Sequence, residues 1–451
     1  MLRLARLAAR PLERFLRIEA ASAVLLVGAA ITALACENSR LRAPFRALLH
    51  TQVGLRLGAW TFERSLEWVV NDVLMVVFFF VVGMEIRREI HHGELSTPRR
   101  AALPFAAALG GMLAPAAVFL LLAGHGGSRS GWGIPMATDI AFAVGAFAAL
   151  GRRVPPALRV LLLALAVIDD LGAIVVIAVF YSGGIQASGL GIAALGVLSI
   201  FAMRAIGVRR KASYVLPSVV VWLGFYRSGL HPTLAGVVVG FITPVRAWLG
   251  PRGFRHTVSQ AIETLSERAR STADDPALVA ALRTVDSARR EAISPSVSLI
   301  ESLHPWVAFL IMPLFALANA GVSLEGASMQ GEPLRTTLGV TVGLLLGKPL
   351  GVLVACTLAL RLRLATLPVG IGFRQLVVLG VTAGIGFTMS LFTAHLAFRD
   401  ATLLANAKVG VLAGSVSAAV LALALGRWLL PDTPTAGQAE TADEAESSTE
   451  L

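Results

Sequence analysis

Residues 160–181, VLLLALAVIDDLGAIVVIAVFY, are apolar from end to end except for two adjacent carboxylates, Asp169 and Asp170, near the middle. A helix of roughly 20 residues crosses a hydrocarbon core about 30 Å thick, so this stretch is long enough to span a bilayer. A charge at that depth costs at least about 2.5–3.5 kcal/mol on insertion scales. Neighbouring helical residues are rotated about 100° apart, so the two carboxylates cannot face one point equally. One can face a water-filled cavity while the other leans on a neighbouring helix. They are either satisfied polar groups that fix helix packing or an ion or proton site. The cost of burying two in a row favours the site.

The composition carries this reading to the whole chain. Hydrophobic residues make up 56% of the 451 and charged residues only 15%, where soluble domains hold about 25% charged. The chain is therefore an all-α polytopic membrane protein with the lipid bilayer as its solvent. Many of the 43 glycines lie inside apolar runs, where small residues let helices approach closely. A net charge of +11 would suit nucleic acid. The basic residues instead cluster at the ends of apolar runs, as membrane topology requires, and a nucleic-acid partner is excluded. Cys36 and Cys356 lie at or within apolar stretches and offer neither a metal spacing nor a disulfide framework.

Taken in order, residues 1–17 carry Arg3, Arg6, Arg10, Arg14 and Arg17 ahead of the first apolar run. No small-residue cleavage site follows, so an uncleaved first helix with a cytoplasmic basic amino terminus is expected. Residues 18–245 hold eight apolar runs, and the connections alternate between Arg-rich ones and 182–188, which has no Lys or Arg. By the excess of positive charge on the cytoplasmic side, both termini are expected to be cytoplasmic. Residues 246–303 are Arg-rich with helix-forming segments, and read as a cytoplasmic loop with one or two surface helices. Four more runs within 304–430 bring the crossings to about twelve. The acidic tail, 431–451, contains no Lys or Arg and reads as disordered.

The fourth run, with Thr138-Asp139-Ile140-Ala141-Phe142, is echoed in the eleventh by Thr388-Met389-Ser390-Leu391-Phe392, and Gly or Pro precedes each. Gly- or Pro-interrupted segments in corresponding halves point to broken helices at a transport site. The two runs cross the membrane in opposite directions, as an inverted repeat needs. Each half-helix end carries about half a unit of partial charge, positive at amino ends and negative at carboxyl ends. Where two broken helices cross, like ends meet, so a carboxylate can neutralise paired amino ends and a lysine paired carboxyl ends. Asp139 and, in the tenth run, Lys348 are the candidates. A lysine in the middle of an apolar run is too deep to reach the interface readily by extending its side chain.

The segments NDVLMVVFFFVVGMEIRRE, GWGIPMATDIAFAVG, ALAVIDDLGAI, LHPTLAGVVVGF, LHPWVAFLIMPLFALANAGVSL, GKPLG and GIGFTMSLF together resemble the bacterial NhaA sodium/proton antiporters over residues 18–430. The resemblance implies twelve transmembrane helices with inverted repeats, the fourth and eleventh interrupted and crossing. It implies that Asp169 and Asp170 are the essential aspartate pair, and that Asp139 with Thr138, and Lys348, are the charged partners at the crossing. Asp72, Glu85 and Arg88 match positions tied to the cytoplasmic part of the pathway or to pH response. Two features depart from the family: Ile300-Glu301-Ser302-Leu303-His304 lacks a first histidine, and the 246–303 insertion is longer. Glu301 and His304, just before Pro305, are expected at the cytoplasmic entrance as tuners of the activation pH, since histidine titrates near physiological pH.

These readings converge on an electrogenic, pH-regulated secondary antiporter that exports Na⁺ or Li⁺ in exchange for protons, without cofactor and without enzymatic activity. A hard cation takes oxygen ligands, which Asp169, Asp170, Asp139, Thr138 and unwound backbone carbonyls can supply. Na⁺ is expected at Asp169 and Asp170. One cation displaces two protons, either from both carboxylates or from Asp170 and a Lys348–Asp169 pair; the sequence leaves that choice open. Three other readings compete. A bile-acid-type sodium symporter needs a larger organic-substrate cavity. An intramembrane aspartyl protease needs a Gly-x-Gly-Asp sequence, which does not occur. A channel is the third. The oligomeric state is left between monomer and homodimer.

Overall fold

The computed structural model of the protein describes residues 21–57, 60–184, 186–267, 276–323, 328 and 330–431. The basic segment 1–17 and the acidic tail beyond residue 431 lie outside the described residues. In chain order the helices are α1 (Ala21–Glu37), α2 (Arg42–Leu49), α3 (Leu66–His92), α4 (Pro98–Ala123), α5 (Ile140–Leu150), α6 (Pro156–Phe180), α7 (Ala187–Ala205), α8 (Val215–Ser228), α9 (Thr233–Ile242), α10 (Gly250–Glu267), α11 (Pro276–Ala292), α12 (Pro295–Asn319), α13 (Gly331–Arg361), α14 (Phe373–Ala383), α15 (Phe387–Ala397) and α16 (Ala401–Leu429).

Seven of these are long and apolar enough to cross a membrane, and three bent pairs raise the number to ten. The shorter α8 and α9 complete a set of about twelve apolar spans, both below the roughly 17–25 residues of a full crossing. The pair formed by α1 and α2 bends by 118° and α2 has no buried residue, so α2 lies off the end of the first span. The mixed stretch 37–68 also contains a hairpin, β1 (Gln52–Leu57) and β2 (Trp60–Ser65), paired antiparallel from Gln52 opposite Ser65 to Leu57 opposite Trp60. Val53, Leu55 and Leu57 alternate with other residues at the period of a strand. A window tuned to membrane helices is blind to that period.

The ninth span begins earlier than hydropathy suggests. Glu301, Ser302, His304 and Pro305 lower the apolarity of its first turns, yet the helix starts at Pro295. Ser294 caps it, its side chain accepting from Val297 N, and Pro295 occupies the first turn, where its missing N–H costs nothing. The insertion before it forms the two surface helices α10 and α11, which pack on each other.

The chain divides into two compact units. The first comprises the described residues within Met1–Val70, Thr97–Tyr181 and Met312–Leu451; the second comprises Asn71–Ser96 and Ser182–Ile311. In the second, α7 packs on α8 and α3 on α9, around buried Ile200, Val221, Ala235 and Val239. In the first, α4 packs along α13, and α6 lies against α4 and α14. A Cβ at Gly110 would stand 2.1 Å from the Gly351 carbonyl oxygen, and one at Gly351 would stand 2.1 Å from that of Gly110. Only glycine on both helices permits this backbone contact, which seats Lys348 of α13 deep beside α4.

Candidate cation site

Two helices of the first unit are broken. A 3₁₀ segment, Gly126–Met136, precedes α5 with a bend of 47° across the break, and α14 precedes α15 with a bend of 45°. The first break is 137–139, extended at Ala137 and at Asp139. Pro135 just before it removes a backbone donor. The second break follows α14 at Gly384-Ile385-Gly386. A Cβ at Gly386 would lie 2.8 Å from the Ala137 carbonyl oxygen, so glycine lets the two breaks meet. Asp139 N donates to Ile385 O at 2.8 Å, and the Thr138 hydroxyl lies 3.0 Å from Ala383 O.

The carboxylate of Asp139 caps both helices that leave this junction. Its Oδ1 accepts from Phe142 N in the first turn of α5 at 3.1 Å. Its Oδ2 accepts from Thr388 N in the first turn of α15 at 3.0 Å and from the Thr388 hydroxyl. Asp139 is only 1% exposed, so one negative charge offsets two positive helix ends.

On the opposite side stands Lys348, fully buried. Its ammonium donates to Met136 O, the last carbonyl of the 3₁₀ segment, and to Asp169 Oδ2 at 2.6 Å. The helix of α13 changes to a π-helical turn, Gly343–Gly347, immediately before Lys348, and Pro349 follows it. Thr138 Oγ1 lies 2.6 Å from the same Asp169 Oδ2. Its single proton can serve either that oxygen or Ala383 O. Asp169 Oδ1 is buried with no hydrogen-bond partner among the described residues. Asp170, next on α6, is 3% exposed, and its charge acts on Lys348.

Five of the ten site residues singled out in the sequence thus gather in the first unit: Thr138, Asp139, Asp169, Asp170 and Lys348. The other five fall in the second. Asp72 lies in a π-helical turn of α3, its carboxylate 3.9 Å from His231 Nδ1 and its carbonyl accepting from Trp222 Nε1 at 3.3 Å. Glu85 and Arg88 are half-buried three residues apart on α3, while Glu301 is exposed and His304 half-buried on α12.

Sequence reasoning did not select Thr388 as a site residue, although it opened the echo of Thr138. Nor did it select Ser390, whose hydroxyl donates to Ile134 O at 2.8 Å. Their position in that repeated segment was the available signal. A large apolar cavity in the second unit, lined by residues such as Val77, Phe80, Ile200 and Trp222, includes none of the buried aspartates.

The sequence has known relatives. The family model described as Na+/H+ antiporter 1 matches residues 13–425. A Na(+)/H(+) antiporter NhaA 2 of Myxococcus xanthus (strain DK1622) is 61% identical over 451 residues, covering 100% of this chain and 96% of the relative. One from Sorangium cellulosum (strain So ce56) is 53% identical, covering 99% of this chain and 96% of the relative. A Na(+)/H(+) antiporter NhaA of Janthinobacterium sp. (strain Marseille) is 48% identical, covering 92% of each. The solved structure of the sodium proton antiporter MjNhaP1 from Methanocaldococcus jannaschii at pH 8 shares the fold with a TM-score of 0.50. Identity there is 13%, with 95% of each chain covered. Buried aspartates, a buried lysine and two joined helix breaks thus sit in a sequence matched almost from end to end, and the chain belongs to the Na+/H+ antiporter 1 family.

Proposed function

We propose that this Na⁺/H⁺ antiporter works electrogenically, with Asp170 and Asp169 as the groups at which Na⁺ or Li⁺ and protons compete. The observation that carries the reading is the Lys348–Asp169 ion pair, 2.6 Å long and buried on both sides, beside Asp170. Asp169 Oδ1, turned away from that pair, is an oxygen ligand for a hard cation. A cation also bound by Asp170 and by carbonyls at the breaks would replace the Lys348 ammonium as the positive charge facing Asp169, so Lys348 could give up its proton.

The charge balance then follows. With Asp170 protonated and Asp169 paired to a charged Lys348, the site is neutral. With one Na⁺ bound, both carboxylates ionised and Lys348 neutral, it carries one negative charge. Two protons leave for each cation that binds, and the two loaded forms differ by one unit of charge. Membrane potential therefore acts on the cycle, at about 2.3 kcal/mol per charge for 100 mV. Asp139 supports this site by capping the first turns of α5 and α15 with its two oxygens. Asp72, Glu85, Arg88, Glu301 and His304 form a separate set on α3 and α12, with a role in access from the cytoplasm and in pH response.

The test uses purified protein in sealed vesicles carrying an imposed pH gradient. Adding Na⁺ or Li⁺ should dissipate the gradient and move net charge. Asp170→Asn should abolish both signals while the protein stays folded; near-normal exchange by that variant would remove Asp170 from the mechanism.

A further inference from the structure

The 3₁₀ segment Gly126–Met136 is 11 residues long, whereas 3₁₀ runs beyond three or four residues are uncommon because their hydrogen-bond geometry is poor. It contains Gly126, Gly127, Gly131, Gly133 and Pro135, all poor helix formers. Such a segment needs outside support to hold one shape, and it carries at its end Met136 O, the carbonyl that receives Lys348. Thr138 follows two residues later.

Side chains from the two helices that hold the ion pair also grip this segment further back. The Glu332 carboxylate, in the first turn of α13, accepts from Ser128 N at 2.6 Å. Ser128 is fully buried, and its hydroxyl lies 2.8 Å from that of Thr336, one turn further along α13. Gly126 has φ +61°, a conformation that favours glycine, and a Cβ there would stand 2.7 Å from Glu332 Oε1, displacing that carboxylate. Tyr181, directly after the last residue of α6, uses one hydroxyl twice. It donates to Ser130 O at 2.7 Å and accepts from Gly133 N at 3.1 Å. The segment is therefore tied at Ser128 and Met136 to α13, and at its middle to α6.

We propose that Glu332 and Tyr181 are positioning residues that set cation affinity, by fixing where Met136 O and Thr138 present themselves to Lys348 and Asp169. The inference rests on the cation site proposed above. Neither residue touches the cation. Each acts through the backbone of the 3₁₀ segment, so its loss shifts the apparent KM for Na⁺ while the maximal rate at saturating Na⁺ stays within about twofold. Glu332 is exposed, and as a surface carboxylate it could instead act by attracting cations. Glutamine separates the two roles: it keeps an oxygen acceptor for Ser128 N and loses the charge.

The experiment measures Na⁺-dependent proton exchange in vesicles over a Na⁺ concentration series, with thermal unfolding of each purified variant alongside. Asp170→Asn is the reference for the site itself; if that variant exchanges normally, the cation site is wrong. With that reference inactive, Tyr181→Phe and Glu332→Ala should each raise the apparent KM about five- to tenfold, the scale of one or two hydrogen bonds lost. Glu332→Gln should stay within twofold of the native KM. Equal shifts for Glu332→Gln and Glu332→Ala would assign Glu332 an electrostatic role and overturn the proposal. So would an unchanged KM in Tyr181→Phe and Glu332→Ala, whether or not unfolding moves to lower temperature. Should Tyr181→Phe fail to fold, the two Glu332 variants decide alone.

Discussion

Replacing Lys348 tests the centre of the site. The ammonium is fully buried and holds two acceptors, Asp169 Oδ2 and Met136 O. Lys348→Ala leaves a carboxylate and a carbonyl without their donor and opens a cavity where the stem packed. Breaking a buried pair from one side costs about 3–5 kcal/mol, or roughly 150- to 4,500-fold in the unfolding equilibrium. Lys348→Met keeps the stem and isolates the charge. Lys348→Arg keeps the charge but places a broader guanidinium in a fully buried position. Arginine should retain some exchange with altered affinity. The companion variant Asp169→Asn removes the other partner, and the two losses are coupled. Combined with Lys348→Met it should cost less than the sum of the single costs, by about 0.5–3 kcal/mol. Denaturant unfolding in detergent micelles, followed by tryptophan fluorescence, gives these energies, and currents on solid-supported membranes give the charge moved. Additive costs, with unchanged current in Lys348→Met, would refute both the ion pair as a stabilising unit and Lys348 as a proton carrier.

Two further outcomes are expected. Asp139→Ala removes an acceptor shared by the first turns of α5 and α15; each cap is worth about 1 kcal/mol, so unfolding should fall by about 2 kcal/mol or more and exchange should fail, whereas Asp139→Asn, which keeps oxygen at one position, should lose less stability. His304→Ala should displace the pH profile of exchange and leave its maximal rate near the native value, because imidazole titrates near physiological pH; loss of exchange at every pH would place His304 in the transport path.

Most of the membrane architecture is legible in the chain alone. Apolar length, basic residues at run ends and the cost of a charge in lipid are local properties, so a single window finds the spans and flags Asp169, Asp170 and Lys348 as exceptions. The broken helices were legible for the same reason, since Pro135, Gly384 and Gly386 mark them in the chain. The hairpin Gln52–Leu57 with Trp60–Ser65 and the early start of α12 at Pro295 were hidden. Their signals, strand alternation and a serine cap, are weak beside membrane hydropathy. Tertiary structure alone decided who faces whom. Lys348 had two candidate partners in the sequence, Asp169 and the carboxyl end of a half-helix, and in the fold it holds both. The sequence offered Asp139 as a countercharge for paired helix ends but did not say which backbone donors it would meet. The meeting of two breaks gave its oxygens to Phe142 and Thr388. Glu332 and Tyr181 had no distinguishing mark at all, because their partners are backbone atoms of a distant segment. Depth in the bilayer is encoded locally in composition; pairing across helices depends on how closely glycine lets their backbones approach.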